Sequence, residues 1–217
     1  DVAFCVKHAF WKDWSRLVRS INPEAYMTAE VIDTVEANKP YLEGDEFSAV
    51  MNYNFAFTCN DFFFADRGAI PPTVFDERLR EIREAYPREV AYGMQNLLDS
   101  HDTARLASNI VNADLVAMRD WHAYCDRTKG QNPQYQTRRP HARERQRQEL
   151  AVLFQMTYLG APMVYYGDEV GMWGANDPCC RKPMVWDDLQ YEDESILPDQ
   201  SPRPQADPVG VDGDLAR

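Results

Sequence analysis

Short apolar runs alternate with amphipathic segments along most of this chain, and three of the runs close on acidic residues. That alternation restricts the fold more than any other feature. Phe10, Trp11, Trp14, Leu17, Val18 and Ile21 recur at helical spacing with Lys12, Asp13, Ser15, Arg16 and Arg19 between them, which predicts an amphipathic helix. Trp11 and Trp14 lie on its apolar stripe and are expected in the core. Asn22-Pro23 ends it, because the residue before proline disfavours the α region. Residues 25–31 read as a buried strand ending at Glu30, and residues 47–53 as a second. Val74, Phe75, Leu79, Ile82 and Tyr86 mark another amphipathic helix. Residues 92–98 form a third apolar run leading into Asp99-Ser100-His101-Asp102, with a short helix expected over residues 104–111. Polar residues 112–140 read as a surface excursion. A long helix carrying Leu150, Val152, Leu153, Phe154, Met156 and Tyr158 stops at Gly160, a common C-terminal residue. Residues 162–166 give the last strand, and loop chemistry follows from Gly167.

Strands separated by amphipathic helices imply parallel β/α units and an α/β fold. Two architectures are built from such units, an open doubly wound sheet and a closed eight-stranded barrel. No glycine-rich phosphate loop follows any of the strands, which weakens a nucleotide-binding reading. Acids at strand C-terminal ends favour the barrel, whose active sites are assembled there. A hydrophobic content of 44% supports a packed core, and a net charge of −12 argues against nucleic acid or an anionic membrane surface as partner. The sequence has no run long and apolar enough to span a membrane. The Arg138–Arg147 stretch is interleaved with Glu144, Gln146 and Glu149, the pattern of a solvated helix face. Cys5, Cys59, Cys125, Cys179 and Cys180 have neither disulfide-framework nor zinc spacing. They are expected as reduced thiols, which leans towards a cytoplasmic location.

Glu30 and Asp102 lie at or just beyond the ends of two separate apolar runs and Asp1 is the first residue of the sequence, and carboxyl groups placed at strand ends suit glycosidic bond cleavage. One carboxyl must give a proton to the leaving oxygen while another meets the cationic sugar carbon; a separation of about 5–5.5 Å gives retention through a covalent intermediate. Partial burial and neighbouring negative charge keep the acid protonated near neutrality. Taken alone, acids at strand ends also serve as helix caps.

The segments Asp99-Ser100-His101-Asp102-Thr103-Ala104-Arg105 and Tyr165-Tyr166-Gly167-Asp168-Glu169-Val170-Gly171-Met172 resemble motifs of the α-amylase superfamily, glycoside hydrolase family 13. Asn176-Asp177-Pro178-Cys179-Cys180-Arg181-Lys182-Pro183-Met184 resembles the neopullulanase, cyclomaltodextrinase and maltogenic amylase branch. Asp1-Val2-Ala3 matches the family's nucleophile motif and Ala29-Glu30-Val31 its acid/base motif. The resemblance implies a (β/α)8 TIM barrel represented by its second half, strands 5 to 8, over residues 1–186. Residues 187–217 would be a loop-rich C-terminal stretch of the same domain.

The resemblance also implies the site residues. Asp1 would be the nucleophile, Glu30 the general acid and then base, and Asp102 the third acid favouring the distorted sugar. His101 would hydrogen-bond the sugar at the cleavage subsite, and Asp177 with Arg181 would grip the next glucosyl unit. The residues themselves leave a loop salt bridge open for that pair, and a structural anchoring role open for Asp168 and Glu169. Trp173, in a loop, is the candidate for stacking on sugar. The implied activity is retaining hydrolysis of α-1,4-linked maltodextrin or starch-like oligosaccharides. A glucanotransferase with the same triad and a non-catalytic amylase-like binding or transporter-associated protein are the alternatives. No cofactor or metal is required, although Ca2+ sites occur in the family; the oligomeric state is unreadable.

Several positions depart from the family. An arginine two residues before the nucleophile and the family's first motif lie outside these residues. Phe4-Cys5 stands where the branch has Asn-Glu, and Ile32 where many members carry an aromatic. Half a barrel would expose two strand edges. This stretch alone is therefore expected to aggregate or fold partly, with negligible glucanase activity.

Overall fold

The computed structural model describes residues 2–115, 117–196, 200–207 and 210. Among them are eight α-helices, α1 (His8–Ile21), α2 (Val35–Asn38), α3 (Tyr53–Cys59), α4 (Pro72–Ala85), α5 (Arg88–Gly93), α6 (Leu106–Asn112), α7 (Trp121–Arg127) and α8 (Ala142–Thr157). The strands are β1 (Thr28–Ala29), β2 (Ala49–Val50), β3 (Gln95–Leu97), β4 (Ala161–Met163), β5 (Glu194–Ile196) and β6 (Pro202–Asp207). The chain divides into two compact units. The first comprises residues 1–58, 72–97 and 155–163; the second comprises residues 59–71, 98–154 and 164–217.

The first unit contains the parallel strands. β1 pairs with β2 and β3 with β4, both in parallel, and a parallel bridge from Met51 to Gln95 joins the two pairs. The order β1-β2-β3-β4 follows the chain without reversal. A doubly wound sheet reverses its order at a switch point, whereas successive barrel strands do not. Ala29, Val31, Ala49, Val50 and Met94 are buried with Met27, Tyr41, Leu42, Phe47, Ile82 and Tyr86. Several polar side chains fasten the strands. Asn96 Oδ1 accepts from Asn52 Nδ2 at 2.8 Å, and Asn96 Nδ2 donates to Leu159 O at 2.8 Å. Gln155 Nε2 donates to Asn96 O at 2.8 Å and Met163 O at 2.9 Å.

Helix α1 forms as its spacing predicts, but only one column of its stripe packs inward. Trp11 and Val18 lie against the core, Ser15 is buried beside them, and Trp11 Nε1 donates to Ala3 O at 2.9 Å. Phe10, Trp14, Leu17 and Ile21 make the adjacent column and stay exposed, Ile21 at 79%. The expectation that Trp14 lies in the core is therefore corrected. Its indole lies against Trp11 and Phe47, with ring centroids 5.8 and 6.1 Å away, and the residue stays 36% exposed.

The strands are shorter than the apolar runs that announce them. Residues at the end of the second run turn into α3, which continues as a π-helical turn over Asn60–Phe64. Residue 92, placed in the third strand by its pattern, lies in α5. Periodicity alone does not separate buried helix from buried strand in short apolar runs.

In the second unit, residues 112–140 are not wholly irregular, because α7 lies within them. Tyr124 of α7 is buried; its hydroxyl accepts from Ala104 N at 3.0 Å and donates to Asn109 Oδ1 at 2.7 Å. Tyr135 is buried as well. Helix α8 begins with the N–H of His141 donating to Glu144 Oε2 at 2.7 Å, half of a capping box. Strands β5 and β6 pair antiparallel in the stretch expected to be loop-rich, with a register irregularity between Glu194 and Ile196.

Candidate active site

Glu30 follows the C-terminal end of β1 directly and is buried, with Tyr53 Oη donating to its Oε1 at 3.3 Å. Its own carbonyl accepts from Ala3 N at 3.1 Å. Because the strands are parallel, the end of β1 and the end of β3 at Leu97 lie along one edge of the sheet. Asp1, the expected nucleophile, lies outside the described residues.

His101 and Asp102 sit in the second unit on a turn built from the sequence that follows β3. Asp99 Oδ2 accepts the N–H of Leu106, the first residue of α6, at 2.7 Å, closing the segment on itself. Within it, Ser100 N–H donates to Thr103 Oγ1 at 2.8 Å and Asp102 N–H to Ser100 Oγ at 3.1 Å. His101 and Asp102 are thereby left half-buried while their neighbours are enclosed.

Arg181 ties the other predicted ligands together. Its Nη2 donates to Asp102 Oδ1 at 2.8 Å, and its Nε lies 2.7 Å from Asp177 Oδ1 and 3.0 Å from His101 O. The salt bridge left open for Asp177 and Arg181 exists, and the same guanidinium also reaches Asp102. His101 Nε2 lies 3.7 Å from Asp102 Oδ2. The result is a half-exposed set of two carboxylates, an imidazole and a guanidinium. Groups of this kind make directional, charge-assisted hydrogen bonds to hydroxyls.

Trp173 departs from its expected role. It lies in a loop but is only 4% exposed, with the Arg139 guanidinium 5.2 Å from its ring centroid. A ring so covered offers no face to a sugar; burial against the loop, not ligand stacking, explains its position. Cys179 and Cys180 carry free thiols. The Cys180 thiol, pushed up to about 12 chiefly by burial, donates to His101 O at 3.2 Å.

Sequence reasoning missed the residue that organises this region. Arg105 is fully buried, its Nε donating to Cys180 O at 2.9 Å and its Nη1 to Tyr166 O. Its guanidinium lies 4.6 and 4.7 Å from the ring centroids of Tyr165 and Tyr166. An arginine inside the run Ala104-Arg105-Leu106-Ala107 was the available signal, since a lone charge in an apolar stretch needs a built environment. Glu169 acts as an anchor: its Oε2 accepts from Gly167 N–H at 2.7 Å. Gly167 has φ +92°, and a Cβ there would run into Met172 and Arg105, so glycine is required at this bend.

Comparison with known proteins places these residues in context. The family model for the α-amylase catalytic domain matches residues 5–199. Neopullulanase 2 from Thermoactinomyces vulgaris is 40% identical over 190 residues, 88% of this chain and 26% of that protein. A cyclomaltodextrinase from Bacillus sp is 38% identical over 192 residues, 88% of this chain and 28% of that one. The chain thus spans little more than a quarter of the length of these relatives. Among solved structures, a cyclomaltodextrinase superposes with a TM-score of 0.64 at 39% identity, covering 86% of this chain and 26% of its own. The cyclic α-maltosyl-(1→6)-maltose hydrolase from Arthrobacter globiformis, in complex with maltose, superposes with a TM-score of 0.65 at 30% identity, covering 86% and 35%.

Proposed function

Because this chain belongs to the α-amylase catalytic-domain family, we propose that it carries catalytic residues of a retaining glycosidase acting on α-1,4-glucosidic bonds of maltodextrin-like oligosaccharides. Family membership and the solved relatives imply the (β/α)8 barrel. We read β1 to β4 as strands 5 to 8 of that barrel, in keeping with their unreversed parallel order, and residues 1–186 as part of the catalytic domain.

The observation that carries the proposal is the position of Glu30. A buried carboxyl directly at a strand's C-terminal end, facing a tyrosine hydroxyl, is a suitable proton donor at the mouth of a barrel. In the proposed reaction, Asp1 attacks the anomeric carbon while Glu30 protonates the departing oxygen, leaving a glycosyl ester. Glu30 then removes a proton from water, which displaces Asp1 and restores both carboxyls. Asp102 and His101 hold the hydroxyls of the distorted sugar, and Arg181 with Asp177 holds the adjoining glucosyl unit. None of these steps requires a metal or an organic cofactor. The partner is an α-glucan oligosaccharide, and the five free thiols fit a reducing compartment.

The test is Glu30→Gln in the full-length protein. Turnover of maltodextrin should fall by about 10³-fold or more, while oligosaccharide binding by calorimetry is retained. Activity within tenfold of the parent would overturn the acid/base assignment. A dominant transfer product at high acceptor concentration would replace hydrolase by glucanotransferase.

A further inference from the structure

Arg181 carries the two contacts on which the proposed grip on the adjoining glucosyl unit depends. Its Nη2 donates to Asp102 Oδ1 at 2.8 Å while its Nε lies 2.7 Å from Asp177 Oδ1, so one guanidinium serves two carboxylates at once. The side chain is half-exposed, and a long exposed side chain has rotamer freedom to lose. How well it meets both acids therefore depends on how firmly its backbone is held.

The peptide carbonyls on both sides of Arg181 are held from within the second unit. Cys180 O accepts from Arg105 Nε at 2.9 Å, and Lys182 O accepts from the Tyr166 hydroxyl. Arg105 and Tyr166 are themselves joined. Arg105 Nη1 donates to Tyr166 O, and the guanidinium stands 4.7 Å from the Tyr166 ring centroid and 4.6 Å from that of Tyr165. Gly167 leaves the room for this arrangement, since a Cβ there would come within 2.9 Å of Arg105 Nη1. A further tie runs from the Arg105 N–H to Gly174 O at 3.1 Å, and the Gly174 N–H donates to Ser108 Oγ at 2.9 Å. Lysine at position 105 would keep the charge but not the planar fork that serves Cys180 O and Tyr166 O together.

We propose that Arg105 and Tyr166 are positioning residues for substrate binding, clamping the peptide on either side of Arg181 so that its guanidinium reaches Asp102 and Asp177 together. The assignment rests on the proposed function, which gives Arg181 and Asp177 the adjoining glucosyl unit. Both residues act through Arg181 and not through the acids that perform the cleavage. A misplacement of about 1 Å in a substrate-positioning group is enough to cost about 10²-fold. Loss of the clamp weakens a contact made to bound substrate as well as to the transition state, so it raises KM more than it lowers kcat.

The test is steady-state kinetics of the full-length protein on a maltodextrin oligosaccharide, comparing Tyr166→Phe and Arg105→Lys, alone and combined with Arg181→Ala. Tyr166→Phe removes one hydroxyl from a partly exposed ring. It should raise KM about fivefold, the worth of one net hydrogen bond, with kcat within about twofold. Arg105→Lys should raise KM by about tenfold or more. With Arg181→Ala already present, either substitution should change KM by less than about twofold, because the group it positions is gone. An unmoved KM in Tyr166→Phe, a fall in kcat in place of the rise in KM, or effects that multiply in full with Arg181→Ala would each overturn the proposal. If Arg105→Lys does not fold, Tyr166→Phe and its double-mutant cycle decide alone. Amide hydrogen exchange separates failure of this inference from failure of the proposed function. The Arg181 N–H is bonded to Pro178 O at 3.1 Å and the Cys179 N–H to Asn176 O at 2.9 Å. Both should exchange about fivefold faster in Tyr166→Phe while the amides of α8 keep their rates. Unchanged exchange at these two amides would overturn the clamp even in a protein with no glycosidase activity.

Discussion

Asn96→Leu should be among the more damaging single substitutions in the first unit, because one buried amide serves two partners there. Asn96 is 1% exposed; its Oδ1 accepts from Asn52 and its Nδ2 donates to Leu159 O, both at 2.8 Å. Leucine fits nearly the same volume but offers neither group. Each lost hydrogen bond is worth about 1 kcal/mol net, and a stranded buried partner costs about 1–3 kcal/mol. Asn52 is buried, so its amide is left without water; Leu159 is only half-buried, so its carbonyl recovers part of the loss. The expected destabilisation is therefore about 2–4 kcal/mol, a large part of the roughly 5–15 kcal/mol that holds a domain together. Gly160 provides an internal check. It has φ +125°, and a Cβ there would lie 3.0 Å from Asn96 Cγ and 3.0 Å from Met94 O. Gly160→Ala should thus cost about 1–3 kcal/mol by itself, and less than additively when Asn96 has already lost its hydrogen bonds. Urea unfolding of the full-length protein, with Cm and m both fitted, reads all three variants. A shift below about 0.5 kcal/mol for Asn96→Leu, or strict additivity of the pair, would refute the coupling through this amide.

Other perturbations separate binding from stability. Arg181→Ala removes contacts to Asp102, Asp177 and His101 O from a half-exposed side chain; unfolding should shift by less than about 1 kcal/mol, while KM for oligosaccharide rises more than kcat falls. Trp173→Ala should do the reverse, destabilising by about 3–5 kcal/mol because the ring is buried; a change in KM with unaltered Tm would restore the stacking role. Burial works against the Glu144 carboxylate, but Arg138 and the N–H of His141 outweigh it and hold the group below its ordinary value. Its contribution is present above the ordinary glutamate value and lost as pH falls through the folded one. Glu144→Ala should cost about 1 kcal/mol at neutral pH, with the Tm difference closing in acid.

The sequence alone determined the alternation of elements and pointed to the residues of the candidate site. Helical spacing marks α1 and α4 within two or three residues, since apolar period is written directly in residue order. Glu30 and the His101-Asp102 turn are legible because acids interrupt apolar runs where strands end. What it leaves open depends on partners distant in sequence. Trp14 and Trp173 look alike as aromatic residues, yet one stands at the surface and the other is enclosed beneath Arg139. Residue order does not say which column of a helix stripe, or which loop ring, will be covered. The same holds for Arg105, whose value lies in carbonyls 61 and 75 residues away. A fully buried guanidinium becomes tolerable only when tertiary packing brings its hydrogen-bond partners to it, and no local pattern encodes that encounter.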